Sequence, residues 1–511
     1  MKNILVALIA LVMGCQTLTA QKSIVILYEN DVHCGIDGYT RMAGLRDAIN
    51  NTDTAFAAVV CCGDFLQGNT TGAISKVQYI ADIMRLMDYH ALTIGNHEFD
   101  YGVPRMQQML EQIAAPVVCA NLFEAGEPWP LYAPYVIHQY GDKRVAYVGA
   151  CTPETMILEG YSFYDTNGIL LFDLKADAFY QLIQRAVDGA RADGADYVVL
   201  LSHVGETPQS MGFSSHRLVN HVKGIDVVLD GHSHNIFEDA KATDPDGRQV
   251  TVTQTGTQFA NVGKLLITKD GRFITKLIKT SDIAYENARV SAATDSIRQM
   301  VKAVTSTIVA HSDYPLVVSD ENDQWIVRGE ETNAGDLVAD AYRHAMKADI
   351  AFENGGGIRN DIEAGDITYG DIIGMLPYDN TLRRIMVSGE QLKEMLSRCT
   401  ANTPLLDGNF PQCSGLRFAI HTKSHTVSDI ETLQADGTYA PLDLKRTYSV
   451  ALTNYNHEGG GFCDVFKKCI VLQESTLRYY EALADYLKSV LGCTTGQEYA
   501  KPQGRIRIIE D

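Results

Sequence analysis

Between Ser23 and about Ile283, short apolar runs rich in β-branched residues recur along the chain. Ser23–Glu29, Phe56–Cys62, His90–Ile94, Pro116–Ala120, Val145–Ala150, Tyr197–Ser202 and Val227–Leu229 predict strands. Lys76–Asp88, Val103–Ile113 and Lys175–Ala192 instead space their apolar residues at helical intervals. Strand–helix alternation of this kind predicts α/β packing. Val250–Thr255, Lys264–Thr268 and Phe273–Thr280 follow with no helix between them, so this half is expected to close in antiparallel pairs. The texture then changes. Ala292–Ala310 carries Ile297, Val301, Val304 and Ile308 on one helical face and reads as a linker helix. Beyond it, Asn333–Ala348 and Glu390–Cys399 predict helices. Asp349–Glu353 and Tyr448–Thr453 predict strands, the former running into Gly355–Gly357.

Composition narrows the classes. The 511 residues predict more than one domain at ~100–200 residues each. With 46% apolar and 21% charged residues, the chain is neither disordered nor collagen-like. Its 63 acidic against 43 basic side chains, a net charge of −20, argue against a protein that wraps polymeric nucleic acid. Small phosphate ligands stay open, because a bound cation reverses the local field.

The N-terminus reads as an address rather than as part of the fold. Lys2 precedes the apolar run Ile4–Met13, too short to span a bilayer, and Leu18-Thr19-Ala20 offers a cleavage site before Gln21. Residues 1–20 are therefore expected to be a signal peptide, leaving the mature chain periplasmic or extracellular. Val12-Met13-Gly14-Cys15 also permits a lipid anchor on Cys15. No later run reaches the ~18 apolar residues of a membrane helix, so no transmembrane segment is expected. Export would permit disulfides among the eleven cysteines, and loop-closing spacings favour Cys399 with Cys413 and Cys463 with Cys469. Cys61 and Cys62 read as buried thiols. No CxxC pair occurs, so no thiolate zinc site is expected.

Five segments set metal-binding side chains just past a predicted strand: Asn30-Asp31-Val32-His33, Gly63-Asp64, Gly95-Asn96-His97-Glu98, Ser202-His203 and Gly231-His232-Ser233-His234. Strand ends in open α/β sheets converge, so residues distant in the chain meet there. Singly each is weak: a Gly-Asp pair is ordinary turn chemistry, and a histidine at a strand end is more often structural. Their conjunction supplies imidazole and oxygen ligands, with a carboxylate to bridge two divalent ions ~3.5–4 Å apart.

The ordered set DxH, GD, GNHE, H, GHxH resembles the calcineurin-like metallophosphatase signature. The stretch GNHEFDYG from Gly95 to Gly102, with the second-half motifs below, resembles the bacterial and animal 5′-nucleotidase family. The resemblance covers essentially the whole mature chain. It implies a four-layer α/β/β/α sandwich over residues 23–290, a linker helix over 291–312 and a smaller α+β substrate-binding domain over 313–511. It also implies two divalent metal ions, zinc, manganese or similar. Asp31, His33, Asp64 and His234 would hold one, and Asp64, Asn96, His203 and His232 the other, with Asp64 bridging. Some members carry glutamine at the place of His234. A water shared by two cations becomes hydroxide near neutral pH and attacks phosphorus in line. His97 would stabilise the charge that develops, held by Asp100 as the family's His–Asp pair. On the residues alone, Asp100 could equally cap the helix starting near Val103.

The second half reads as a substrate reader. Val327-Arg328-Gly329 precedes a helix, and Asn354-Gly355-Gly356-Gly357-Ile358-Arg359 follows a strand, joining close backbone approach to bidentate phosphate binders. The resemblance assigns Arg328 and Arg359 to the phosphate and Asn354 to the base. It places base-sandwiching rings at Tyr378 and, in the segment Thr453–Phe462, at Tyr455. One departure stands out. The aspartate that binds ribose hydroxyls in the family is replaced by Gly460, with Glu458 or Asp464 as candidate substitutes. The expectation is an exported phosphohydrolase acting on 5′-nucleotides, nucleotide sugars or nucleoside di- and triphosphates. The 2′,3′-cyclic-nucleotide 2′-phosphodiesterase/3′-nucleotidase branch, which also lacks that aspartate, stays open. A nucleotide-binding receptor that has lost catalysis is the alternative of another class. Base preference and oligomeric state stay open.

Overall fold

Strand Ser23–Glu29 is apolar at nearly every position because both its faces are covered. Its side chains alternate between two cores, as the period of two in a strand requires. Val25 and Leu27 join Met42, Ile80 and Met106 beneath helices. Ile24, Ile26 and Tyr28 face Val145, Val199 and Leu229 of a second sheet. On that sheet's far side, Val148, Val198 and Leu200 meet Ile183 and Val187 of helix Phe179–Ala192. Three stacked cores make four layers, α/β/β/α. The computed structural model describes residues 22–510 apart from 69, 76, 165–168, 207–211 and 379. The expected signal peptide, Cys15 and Lys76 lie outside the described residues.

The first sheet runs in the order Phe273–Lys279, Asn261–Ile267, Ser23–Glu29, Ala55–Cys62, Ala91–Thr93; the last three are parallel and the first two close it antiparallel. The second runs Ile236–Thr243, Gln249–Thr255, Val227–Leu229, Tyr197–His203, Lys143–Cys151, Tyr135–Tyr140. Pairings such as Glu29 with Cys61, Cys62 with Thr93 and Leu201 with Leu229 bring the carboxyl ends of the parallel strands level. All five motif loops leave from those ends.

In the second lobe, a five-stranded sheet of Pro411–Ser414, Ile350–Asn354, Thr447–Thr453, Thr381–Ser388 and Ile470–Arg478 carries helices Asn333–Met346 and Tyr479–Ser489 on one face. Helix Gly389–Cys399 and a four-stranded sheet cover the other. No helix among the described residues is long and apolar enough to cross a membrane.

Several expectations need correction. Pro116–Ala120 makes only isolated bridges, Val117 to Leu92 and Val118 to Ala133. The helix expected at Ala292–Ala310 spans Ala288–Thr305, because Asn287 caps it by accepting from Val290 N–H at 3.0 Å. Ile308 opens a strand paired with Gly365–Thr368. That helix buries Val290 and Ile297 in the first lobe's core. Helix Asp37–Asn50, absent from the expected elements, buries Tyr39, Met42 and Ala43 in the first core and packs through Gly38 against the Phe259 ring and through Gly44 against the Tyr285–Glu286 backbone. All ten described cysteines are free thiols. Neither spacing-based pair meets: Cys399 and Cys463 both point at the Gly461 carbonyl, at 3.3 and 3.5 Å, while Cys413 bonds to Leu416 O.

Candidate active site

Asp31, His33, Asp64, His232 and His234 all adopt left-handed backbone, with φ of 52°, 46°, 57°, 77° and 55°. A non-glycine residue held there costs about 1–3 kcal/mol, so the turns that follow these strands aim their side chains under strain. Two ligand sets result. Asp31, His33, Asp64 and His234 each bring a ligand atom within 4.8 Å of the others, and Asp64, His203 and His232 do the same. Asp64 belongs to both. Asn96 Oδ1 lies 2.9 Å from His232 Nδ1, beside the second set.

The proton positions decide whether a cation fits. His33 Nδ1 donates to Gln67 O and His203 Nδ1 to Cys62 O, each at 2.7 Å. Both Nε2 atoms therefore face inward, His33 Nε2 toward His234 Nε2 at 3.0 Å and His203 Nε2 toward Asp64; against burial, Asp64 and Asp31 push the His203 imidazole up to about 10. His203 Nε2 is fully buried and makes no hydrogen bond, although Asp64 Oδ2 stands 3.1 Å away in poor alignment. A buried ring nitrogen facing a carboxylate needs a positive charge between them, a proton or, in its place, a divalent cation. Burial pushes the His33 imidazole down to about 3. Burial, then His33 and Arg359, hold His234 well below the usual histidine range. Imidazoles and carboxylates with no thiolate suit zinc, manganese or a similar divalent ion.

His97 lies at the edge of this cluster, its ring 5.2 Å from His33, and its Nδ1 is 3.0 Å from Asp100 Oδ2. Gly102, not Asp100, occupies the N-cap of helix Val103–Ile113. Burial, with Asp64 and Glu98, raises the Asp100 carboxyl well above its usual range, against the pull of Glu159 and Arg359.

The second lobe brings Arg328 and Arg359 onto the Trp325 ring, at 4.0 and 4.4 Å from its centroid. Burial, then the neighbouring Arg359, lowers Arg328 to about 9, and its Nε is buried without a partner. Two crowded guanidiniums with a spare donor are chemistry for an anion. Arg359 also donates to Tyr378 Oη at 3.0 Å, and the Tyr378 ring stacks on His97 at 6.2 Å and 22°. The arginines thus face the metal-ligand cluster across the lobe boundary.

The remaining expected residues divide. Tyr455 reaches the first lobe, donating to Leu158 O at 3.1 Å. Its ring lies on Gly460, where a Cβ would come within 2.3 Å of it. Asn354 sits behind the glycine run, donating to Gly408 O and accepting from Asn456, each at 3.0 Å, so much of its capacity to read a base is already engaged. Neither candidate substitute for the missing aspartate is free. Glu458 pairs with Arg383 at 2.7 Å and Asp464 with Arg398 at 2.8 Å. Sequence reasoning gave no role to Trp325 or Glu98. Trp325 is one of two tryptophans, three residues before Arg328, and that was its only signal.

Comparison with known proteins agrees with this geometry. Residues 24–235 match the family model for calcineurin-like phosphoesterases, and residues 308–468 that for the 5′-nucleotidase C-terminal domain. The chain is 24% identical to the 5′-nucleotidase of Vibrio cholerae over 89% of each protein. It is 25% identical to the trifunctional nucleotide phosphoesterase YfkN of Bacillus subtilis over 95% of this chain, spanning 35% of that longer protein. The crystal structure of a 5′-nucleotidase precursor from Thermus thermophilus superposes with a TM-score of 0.78 at 26% identity, covering 96% of this chain and all of that one. Fold and site define a metal-dependent phosphoesterase. The chain belongs to the 5′-nucleotidase type of that class, a family that implies divalent metal ions.

Proposed function

We propose that this chain is an exported dinuclear phosphohydrolase that releases phosphate from nucleotides, with catalysis in residues 23–290 and substrate reading in 313–511. When bound, two divalent cations supply an acidified water as nucleophile and neutralise charge on the phosphate. Asp31, His33, Asp64 and His234 hold one cation; Asp64, Asn96, His203 and His232 hold the other. Arg328 and Arg359 fix the phosphoryl oxygens, and both stack on the Trp325 ring. His97, with Nδ1 held by Asp100, presents Nε2 to the reaction and carries a proton toward the leaving oxygen. Tyr378 and Tyr455 flank the nucleoside.

The observation that carries this reading is the run Arg359–Tyr378–His97, in which a substrate-binding guanidinium of one lobe reaches the catalytic edge of the other. Arg359 also lies close enough to His33 and His234 to depress their basicity. A phosphate held there touches both halves. Relative movement of the lobes then admits substrate and releases product.

A second reading has its own support. The Tyr455 ring fills the space a side chain at Gly460 would need, and Glu458 and Asp464 are both paired with arginines, which favours substrates whose 2′ and 3′ oxygens are not gripped by an acid. Hydrolysis of 2′,3′-cyclic nucleotides or 3′-nucleotides fits that site. Intact ligand sets with His97 and Asp100 count against a receptor that has lost catalysis. Phosphate release over 5′-AMP, 3′-AMP, 2′,3′-cyclic AMP, ATP and a nucleotide sugar, with chelated and metal-restored protein, separates the three readings. Release from 5′-AMP supports the first, cyclic or 3′ substrates alone the second, and none the receptor.

A further inference from the structure

Glu98 has no part in the chemistry above, yet four backbone N–H groups converge on its carboxylate. Oε2 accepts from Gly95 at 2.6 Å and from Asp64 at 2.8 Å, and Oε1 from Phe65 at 2.9 Å and Leu66 at 3.1 Å. The fastening runs in both directions, because the Asp64 carboxylate accepts from His97 N–H at 2.9 Å. One loop carries the shared ligand Asp64 and the other carries Asn96 and His97, so each is pinned by a carboxylate of its neighbour. There is no slack at the joint: a Cβ on Gly95 would sit 2.2 Å from Asp64 Oδ1 and 2.7 Å from His203 Nε2.

We propose that Glu98 is a positioning residue for metal binding, holding the Asp64 and Asn96 loops at the separation a shared pair of cations requires. The inference rests on the metal reading above. An ionised carboxylate offers about four lone-pair directions, matched here by four donors. The amide of Glu98→Gln keeps the shape but loses two of those acceptors. It also turns an NH2 toward backbone N–H groups that need an acceptor, which pushes the loops apart.

The test is Mn2+ titration of the chelated full chain by calorimetry, for the unsubstituted protein, Glu98→Gln and Glu98→Asp, with circular dichroism on each. The expected result is two bound ions in the unsubstituted protein and an affinity about 10–100-fold weaker in Glu98→Gln with its secondary structure kept. Glu98→Asp, a carboxylate one methylene short, should fall between them. Wild-type Mn2+ affinity in folded Glu98→Gln overturns the inference alone. If Glu98→Gln does not fold, unchanged affinity in Glu98→Asp overturns it equally. An unsubstituted protein that binds no Mn2+ overturns the metal reading and this inference together.

Discussion

His33 Nε2 and His234 Nε2 stand 3.0 Å apart, and the Nδ1 of His33 is already donating to Gln67 O. With His33 Nε2 left as the acceptor, His234 Nε2–H donates to it, and a divalent cation would take that proton's place. With a cation between them and Asp31 beside them at 3.5 Å from His234, the arrangement becomes a ligand set. Chelation should therefore cost stability. The melting temperature is expected to fall on dialysis against a chelator and to recover when Mn2+ or Zn2+ is restored, each bound ion contributing ~3–4 kcal/mol of linkage at 100 to 1,000 times its Kd. Scanning calorimetry checks this, and an unchanged melting temperature counts against bound metal.

His97→Ala removes the proton carrier but no ligand. Turnover should drop by about 10²–10⁴-fold while Mn2+ affinity stays at the wild-type value. Asp100→Asn should reduce kcat without weakening metal binding, because the 3.0 Å bond that fixes the His97 tautomer is altered. Parallel steady-state kinetics and metal titration distinguish these from loss of the site.

Arg328 and Arg359 meet over Trp325, and removing either leaves the phosphate held on one side. Arg328→Ala and Arg359→Ala should each cost about 2–5 kcal/mol in kcat/KM. Lysine at either position should not restore it, since a point charge neither stacks on the indole nor binds bidentately. Equal activity in Arg359→Lys would remove the planar-fork reading of this pair.

Gly460 is where the substrate reading is sharpest. Gly460→Ala should displace the Tyr455 ring at about 1–3 kcal/mol and raise KM, whereas the same change made in Tyr455→Ala should be nearly silent. A double-mutant cycle on KM measures the coupling. Additive effects would show that the ring does not rest on this glycine.

One buried acid outside the metal-ligand cluster should mark the pH dependence of stability. Burial raises the Glu353 carboxyl to about 8, against the hydrogen bonds from Tyr342 Oη and Asn354 N–H. The folded state then binds this proton more tightly than the unfolded chain, whose carboxyl titrates near the ordinary 4.5. The contribution is full below that value and is lost as pH rises toward 8. Glu353→Gln should flatten this slope in urea unfolding between pH 5 and 8, and an unaltered slope would refute the assignment.

The clustered histidines and aspartates are legible because each follows a run whose burial on both faces forces a recognisable apolar strand. The four layers follow from the same runs. Less local features were hidden. The helical spacing through Val304 continues by chance to Ile308, but the helix ends at Thr305 because Ile308 pairs with Thr368. Cysteine spacing pointed to Cys413 as the partner of Cys399, whereas the fold brings Cys463 to the same carbonyl. Trp325 and Glu98 act through what folds against them, two arginines in one case and a second loop in the other. Neither context is written near them in the chain.

The most direct single measurement is phosphate release from 5′-AMP by the chelated chain as Mn2+ is titrated back, with bound metal counted in the same samples. The expected result is no release from the chelated protein and activity that saturates as about two ions bind per chain. Release that persists undiminished after the metal is removed would contradict a dinuclear phosphohydrolase.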